Sequence, residues 1–128
     1  MRDYTNLDIE HILPNNPAHN LRNDFISKSP GKDYDEYKQR LGNLTLLEKP
    51  INIVAGNDYF KKKCDLYKDC KYYLTSSIAQ LKVIGINSSI NRINKKLMSF
   101  NDWNSGTIEK RQEILIDLAK DVWKIGYI

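Results

Sequence analysis

The stretch Asp8-Ile-Glu-His-Ile-Leu-Pro14 stands near the start of the chain and contains an acid followed directly by a histidine. Apolar and polar residues alternate through its first half, which is typical of a half-buried strand. Pro14 favours extended backbone in the residue before it and cannot continue a strand. We therefore expect a strand over residues 7–13 whose open end presents Glu10 and His11.

A second β-prone run, Leu44-Thr-Leu-Leu47, follows about thirty residues later. Two asparagines flank it, Asn43 before the run and Asn52 after it, and they stand nine positions apart. Lys49-Pro50 is expected to close this second strand. The chain thus places a histidine and two asparagines, in that order, around two short strands that can pair as a hairpin.

Length and composition predict one globular domain. The chain has 128 residues, of which 41% are hydrophobic and 28% are charged. No apolar run approaches the roughly 18–20 residues of a membrane span, and no signal-peptide pattern opens the chain. Cys64 and Cys70 are six positions apart in a helical-looking segment, so they point to different faces and a disulfide between them is not expected. Reduced cysteines fit a cytoplasmic protein.

The net charge of +4 is unevenly distributed along the chain. Residues 1–60 carry a net charge of −2, residues 61–100 carry +7, and residues 101–128 carry −1. A basic segment that follows an acidic one suits the cleavage of phosphodiester bonds, because cations attract phosphates and acids bind metals. A lysine-rich face kept for solubility is the alternative explanation.

The remaining pattern predicts an α+β fold in which most of the second half is helical. Residues 15–32 are rich in Asn, Pro, Ser and Gly and predict a long loop with one turn around Leu21–Phe25. The predicted helices cover residues 33–39, 57–74, a segment from Ser76 or Ser77 to about Val83, residues 88–98, and a last helix capped by Thr107.

Taken together, these features resemble the His-Me finger (HNH) nucleases, and more closely the C-terminal nuclease domain of GmrSD-type, modification-dependent restriction enzymes of bacteria. The resemblance runs from about residue 7 to about residue 124. It rests on Ile9-Glu-His-Ile-Leu-Pro14, Leu41-Gly-Asn-Leu-Thr-Leu-Leu47, Asn52, Asn57, Phe60, Lys63, Trp103, Ile108, Arg111, Leu115 and Trp123.

The resemblance implies a ββα-metal core, with a short β-hairpin surrounded by several helices. It divides the single domain, residues 1–128, into a finger over about 7–74 and a helical part over about 75–128. The implied activity is metal-dependent hydrolysis of DNA phosphodiester bonds, by nicking, in a bacterial restriction or antiviral defence system. The implied partner is an N-terminal nucleotide-hydrolysing sensor domain. The chain starts about seven residues before the catalytic strand, so we expect an excised domain or a stand-alone nuclease.

A neutral imidazole suits the activation of water, and His11 is the expected general base. Its structural alternative is a histidine satisfied by hydrogen bonds at a strand end. By resemblance, Glu10 and Asn52 bind one divalent ion, Mg²⁺ or Mn²⁺, which prefers oxygen ligands. Asp8 lies on the same side of an ideal strand as Glu10 and can share the site, or it can simply face solvent.

The other candidate residues have a supporting or binding role. By resemblance, Asn43 orients the loop that holds His11; its alternative is a turn residue after Gly42. Asn57 is a possible secondary site or the N-cap of the long helix. Three lysines, Lys61, Lys62 and Lys63, are expected to contact the DNA backbone.

Three residues near the C-terminus have structural expectations. Arg111 falls on the buried side of the last helix, where it can snorkel to the surface or pair with an acid such as Asp102 more readily than contact DNA. Trp103 and Trp123 are expected core anchors. Two other functional classes stay open for the chain: a catalytically silent nucleic-acid-binding module, and a nuclease that acts on RNA or as a toxin.

Overall fold

The computed structural model describes residues 6–56, 59–81 and 97–124, and it confirms the α+β class. The elements in chain order are β1 (Leu7–His11), α1 (His19–Lys28), α2 (Tyr34–Lys38), a 3₁₀ turn (Leu41–Asn43), β2 (Leu44–Glu48), α3 (Lys49–Ala55), α4 (Phe60–Tyr67), α5 (Tyr73–Ala79) and α6 (Ser105–Lys124). The helix predicted over residues 88–98 lies almost entirely outside the described residues.

β1 and β2 form a two-stranded antiparallel hairpin in which Glu10 pairs with Thr45 and His11 pairs with Leu44. Successive residues of a strand point to opposite faces. The sequence predicts a half-buried strand, but the buried face of β1 carries carboxylates: Glu10 is buried, whereas Ile9 is 62% exposed. The helices that follow β2 pack on this polar face, so the hairpin needs polar partners from them.

The core is rich in aromatic rings, which bury large apolar areas. Phe25 meets Tyr34 edge to face with ring centroids 5.3 Å apart. Trp103 stacks on Phe60 at 5.2 Å. The prediction that Trp103 is a core anchor is confirmed, and the side chain of Trp123 lies outside the described part of the chain.

The long loop predicted over residues 15–32 is wrong, because His19–Lys28 forms α1. Leu21 and Phe25, four positions apart, both point into the core, which is the spacing of one helical face. The flanking Asn, Pro, Ser and Gly residues hid this short apolar pattern. Tertiary burial of two side chains therefore decides the conformation of this segment.

The helix predicted over residues 57–74 is interrupted. In the structure α4 ends at Tyr67 and α5 begins at Tyr73. Ser76 and Ser77 lie inside α5 and do not cap it; the hydroxyl of Ser77 donates to the carbonyl of Leu74. Serine hydroxyls that bond to the preceding turn are satisfied within a helix, so their presence did not mark a helix start.

Two further helix starts differ from expectation. Lys49-Pro50 does more than close β2, because Pro50 lies in the first turn of α3, where its missing N–H costs nothing. The last helix is capped by Asn104 and not by Thr107. The amide of Thr107 donates to Asn104 Oδ1 at 3.1 Å and the amide of Asn104 donates to Thr107 Oγ1 at 2.8 Å, a reciprocal pair at the helix start.

Helix α6 lies directly against the 3₁₀ turn at Gly42. A Cβ atom on Gly42 would lie far inside van der Waals contact of the Ile108 carbonyl oxygen and 3.0 Å from Gln112 Cβ. From the same helix, Arg111 donates through Nη1 to the carbonyls of Gly42 and Leu44, at 3.0 and 2.7 Å. Glycine is therefore needed here for space, and Arg111 ties the start of β2 to α6.

The pairing of Arg111 with Asp102 is wrong: Asp102 pairs with Lys28 at 3.1 Å, on the surface. Arg111 instead satisfies backbone carbonyls from a buried position. Burial lowers the pKa of Arg111 to about 10, which leaves the guanidinium charged at neutral pH. A buried guanidinium on two carbonyls is a structural bond and not a DNA contact.

Both cysteines are free thiols, as expected from their spacing. Burial raises the pKa of Cys64 and of Cys70 to about 11, so both are protonated at neutral pH. Within the described ranges, no helix has the length and apolar character to cross a membrane.

We expect Gly42→Ala to lower the free energy of unfolding by about 1–3 kcal/mol, because the new methyl group must push α6 away from the 3₁₀ turn. Urea unfolding followed by tryptophan fluorescence measures this loss. Gly106→Ala is the matched control: Gly106 is exposed in the first turn of α6, and a Cβ atom there would meet only the side-chain oxygen of Asn104, at 3.3 Å. This substitution should change stability by no more than about 1 kcal/mol. Equal stability of Gly42→Ala and the wild type would contradict the close approach.

Candidate active site

His11 ends β1 and is half-buried. No hydrogen bond of the described residues involves its imidazole, while its carbonyl accepts one from Lys63 Nζ at 2.8 Å. Among the described residues, His11 is therefore not a histidine whose ring is satisfied by hydrogen bonds at a strand end. A side chain with an unengaged ring on a fixed backbone can accept a proton from a bound water.

Asn43 braces the loop that follows His11. Its side-chain Oδ1 accepts from the amide of Leu13 at 2.6 Å, and its Nδ2 donates to the carbonyl of Leu13 at 3.0 Å. Nδ2 also donates to the carbonyl of Lys38 at 2.9 Å, and Oδ1 accepts from Trp103 Nε1 at 2.8 Å. Asn43 is fully buried and satisfied, which is more than a turn residue needs, and its contacts reach the loop that the resemblance expects it to orient.

Asp8 and Asn52 are brought together from β1 and α3. Asn52 Nδ2 donates to Asp8 Oδ2 at 3.1 Å, and both side chains are half-buried. Asp8 therefore faces the helix and is not simply a solvent-facing strand residue. With Nδ2 used in this way, Asn52 Oδ1 and Asp8 Oδ1 are the oxygens available for a ligand.

Glu10, the other carboxylate of β1, has different partners. Its Oε2 accepts from the hydroxyl of Tyr67 at 2.8 Å and lies 3.4 Å from Lys63 Nζ. Burial raises the pKa of Glu10, and the charges and hydrogen bonds of Lys63 and Tyr67 offset part of this rise. Burial, together with the charge of Glu10, also raises the pKa of Tyr67 well above its usual value, so the phenol stays a donor.

The structure contradicts the DNA contact predicted for Lys63. Its side chain is 0% exposed, and its ammonium bonds to the carbonyls of His11 and Ile12 beneath the strand. Lys61 and Lys62 are exposed on the first turn of α4, where they remain candidates for a phosphate contact. Asn57 lies outside the described residues.

Asp8 and Asn52 offer oxygen donors of the kind that a small, hard ion takes. No group of three or more His, Cys, Asp or Glu residues is gathered for a metal in residues 6–56, 59–81 and 97–124. A carboxylate with an amide oxygen is nevertheless a hard donor set, and Mg²⁺ commonly keeps several waters and takes only one or two protein ligands. Glu10 fits this role less well, because its Oε2 is already bound to Tyr67 and Lys63.

Tyr67 lies at the candidate site, although no sequence motif points to it. Tyr67 stands four positions after Lys63 on the same face of α4, and a tyrosine on the buried face of a helix is usually a core residue. A lysine on the buried stripe of a helix is the signal that was available, because a buried ammonium requires a carboxylate or carbonyls close by.

A cleft of about 260 Å³ opens beside the loop that follows His11. Its walls combine apolar core side chains with charged residues from α1, from α4 and from the segment before α6. They are Ile12, Leu13, Pro14, Leu21, Asp24, Phe25, Lys28, Tyr59, Phe60, Lys61, Asp102 and Trp103. A concave surface therefore lies next to the end of β1, and Lys61 forms part of its wall.

The family model described as GmrSD restriction endonucleases, C-terminal domain, matches residues 2–118. This confirms the resemblance to the C-terminal domain of GmrSD-type restriction enzymes. Comparison with curated proteins found no match, and comparison with solved structures found none either.

Asn43→Ala should lower the free energy of unfolding by about 3 kcal/mol or more, because it leaves a buried amide, an indole N–H and two carbonyls without partners. Chemical denaturation measures the loss. Asn20→Ala provides the control. Among the described residues this exposed asparagine accepts one bond, from the amide of Leu21, and its replacement should cost less than about 1 kcal/mol. Similar losses for both variants would refute the bracing role.

Proposed function

The chain belongs to the family of GmrSD restriction endonuclease C-terminal domains, and from this premise we propose that it is the metal-dependent HNH nuclease effector of a bacterial restriction system. The substrate of the proposed reaction is DNA, and the proposed product of one active site is a nick. One observation carries the proposal. The imidazole of His11, which makes no hydrogen bond among the described residues, stands at a braced strand end, on the strand that brings Asp8 to Asn52.

The proposed ββα-metal core consists of β1, β2 and α3. The support is that the antiparallel hairpin leads directly into α3, and that α3 carries Asn52 back to Asp8 on β1. Helices α4 and α6 lie outside this unit and hold it from two sides, through Lys63 and Arg111.

In the proposed reaction, the imidazole of His11 accepts a proton from a water molecule while the water oxygen forms a bond to the scissile phosphorus. The bond between phosphorus and the 3′ oxygen breaks, and that oxygen takes up a proton from solvent. Asn43 keeps the backbone after His11 fixed, which holds the ring at one distance from the phosphate.

Asp8 and Asn52 are the residues that we propose to hold one Mg²⁺ or Mn²⁺ ion. A bound divalent ion supplies charge neutralisation at the phosphate and at the leaving oxygen. Glu10 is proposed to stabilise this site without binding the ion, since its Oε2 is bound to Lys63 and Tyr67 on α4.

Lys61 and Lys62 are proposed to attract the DNA backbone. Both are exposed on α4, the helix whose Lys63 lies under His11. Lysines contribute charge and position on phosphates but do not read bases. Target choice is therefore assigned to a separate sensor domain, the nucleotide-hydrolysing partner implied by the resemblance.

Supercoiled-plasmid nicking tests the function. In Mg²⁺ or Mn²⁺ the wild type should nick, EDTA should stop it, and His11→Ala should lower the rate by about 10²- to 10⁴-fold because the general base is lost. His19→Ala is the matched control, since His19 is the other histidine of the chain and is exposed at the start of α1.

Three results would revise the proposal. Nicking that survives His11→Ala would mean another base. DNA binding without nicking by the wild type would favour a silent nucleic-acid-binding module. Cleavage of RNA in preference to DNA would favour the RNA-directed alternative.

Asp8→Asn should weaken Mn²⁺ binding by about tenfold or more, because it removes the charged ligand while conserving the shape of the side chain. Isothermal titration calorimetry measures the affinity for Mn²⁺ in the absence of DNA, so it does not depend on nuclease activity. Asp65→Asn, on the exposed face of α4, is the control and should bind Mn²⁺ as the wild type does. Normal binding by Asp8→Asn combined with lost binding by Glu10→Gln would return the ion to Glu10.

A further inference from the structure

We propose that Lys63 is a positioning residue of this site: its buried ammonium holds the carbonyls of His11 and Ile12 and thereby fixes the imidazole. This inference rests on the proposed nuclease function. The distances are 2.8 Å from Nζ to the His11 oxygen and 3.3 Å to the Ile12 oxygen. Lys63 is fully buried, so it does not reach DNA and acts through the strand.

Burial of an ammonium group is unfavourable because the charge loses its hydration, and nearby polar groups offset this loss. Glu10 Oε2 lies 3.4 Å from Nζ, and the hydroxyl of Tyr67 donates to the same carboxylate oxygen at 2.8 Å. Replacing a buried ion pair by apolar residues of similar size is often neutral or stabilising. Stability alone therefore does not account for a lysine here, whereas fixing a backbone segment does.

Lys63 and Asn43 both bind the backbone of residues 11–13, and they do so from two different elements. Lys63, on α4, takes the carbonyls of His11 and Ile12. Asn43, before β2, takes the amide of Ile12 through its own carbonyl at 2.9 Å, and both backbone groups of Leu13 through its side chain.

The backbone groups from the His11 carbonyl to the Leu13 carbonyl are thus all bonded, although the strand has ended at His11. Such a segment has little freedom to move. A misplacement of about 1 Å at a reacting group can cost about a hundredfold in rate. The orientation of the imidazole relative to Asp8 and Asn52 therefore depends on Lys63 as well as on Asn43.

The test compares two double variants that differ in one hydrogen-bond donor. Glu10→Gln/Lys63→Met and Glu10→Gln/Lys63→Gln both remove the buried charges, but only the second keeps an N–H group under the strand. Because both carry Glu10→Gln, any effect of Glu10 on the ion is common to them. Lys68→Met is the control, since Lys68 is an exposed lysine that directly follows α4.

The measurements are Tm, DNA affinity in Ca²⁺ and the single-turnover nicking rate at saturating DNA. We expect similar Tm and DNA Kd for the two double variants, with the methionine variant slower by about tenfold or more. Equal rates would overturn the proposal, leaving Lys63 as a counter-ion only. A change in DNA Kd that accounts for the rate difference would overturn it in favour of a binding role.

Amide hydrogen exchange of the wild type tests whether the backbone of residues 11–13 is held rigid, and it requires no nuclease activity. The amides of Ile12 and Leu13 should exchange at a rate close to that of global unfolding. Fast exchange at both would overturn the proposal even if neither double variant folds. A wild type that protects these amides but fails to nick DNA would instead count against the proposed function.

Discussion

The buried side chain of Asn43 is the interaction on which the arrangement of the molecule depends. Its amide joins the loop after β1, the end of α2 and Trp103, which stands just before α6. All of these groups are backbone or indole polar groups that cannot be left unpaired in the interior. One asparagine thus fixes how the first strand, the segment before the second strand and the last helix meet.

The hairpin adds a second constraint, because the inward face of β1 carries two acids. Asp8 is partnered by Asn52 from α3, and Glu10 by Lys63 and Tyr67 from α4. A purely apolar face would have packed helices in many orientations, whereas buried polar groups accept only those that complete their hydrogen bonds. The same contacts hold the backbone of His11 and leave its imidazole without a hydrogen bond among the described residues.

The last helix supports the segment around Asn43. Arg111 reaches from α6 to two carbonyls that flank Asn43, and Gly42 lets the helix come close enough for this contact. The chain therefore encloses Asn43 between α6 and the strand end. This layering explains why residues far apart in sequence, such as Trp103 and Arg111, belong to the same structural unit as the proposed base.

The sequence by itself determined the two strands, the α+β class, the family and the residue types at the candidate site, because strand alternation, turn residues and short motifs are local properties. Only the tertiary structure decided that the segment around Leu21 and Phe25 is a helix, that Lys63 is buried, and that Asp8 rather than Glu10 meets Asn52. The reason is physical. Which face of a two-stranded hairpin is buried depends on the elements that pack on it, and the pairing of buried charges depends on distances between helices that no local pattern encodes.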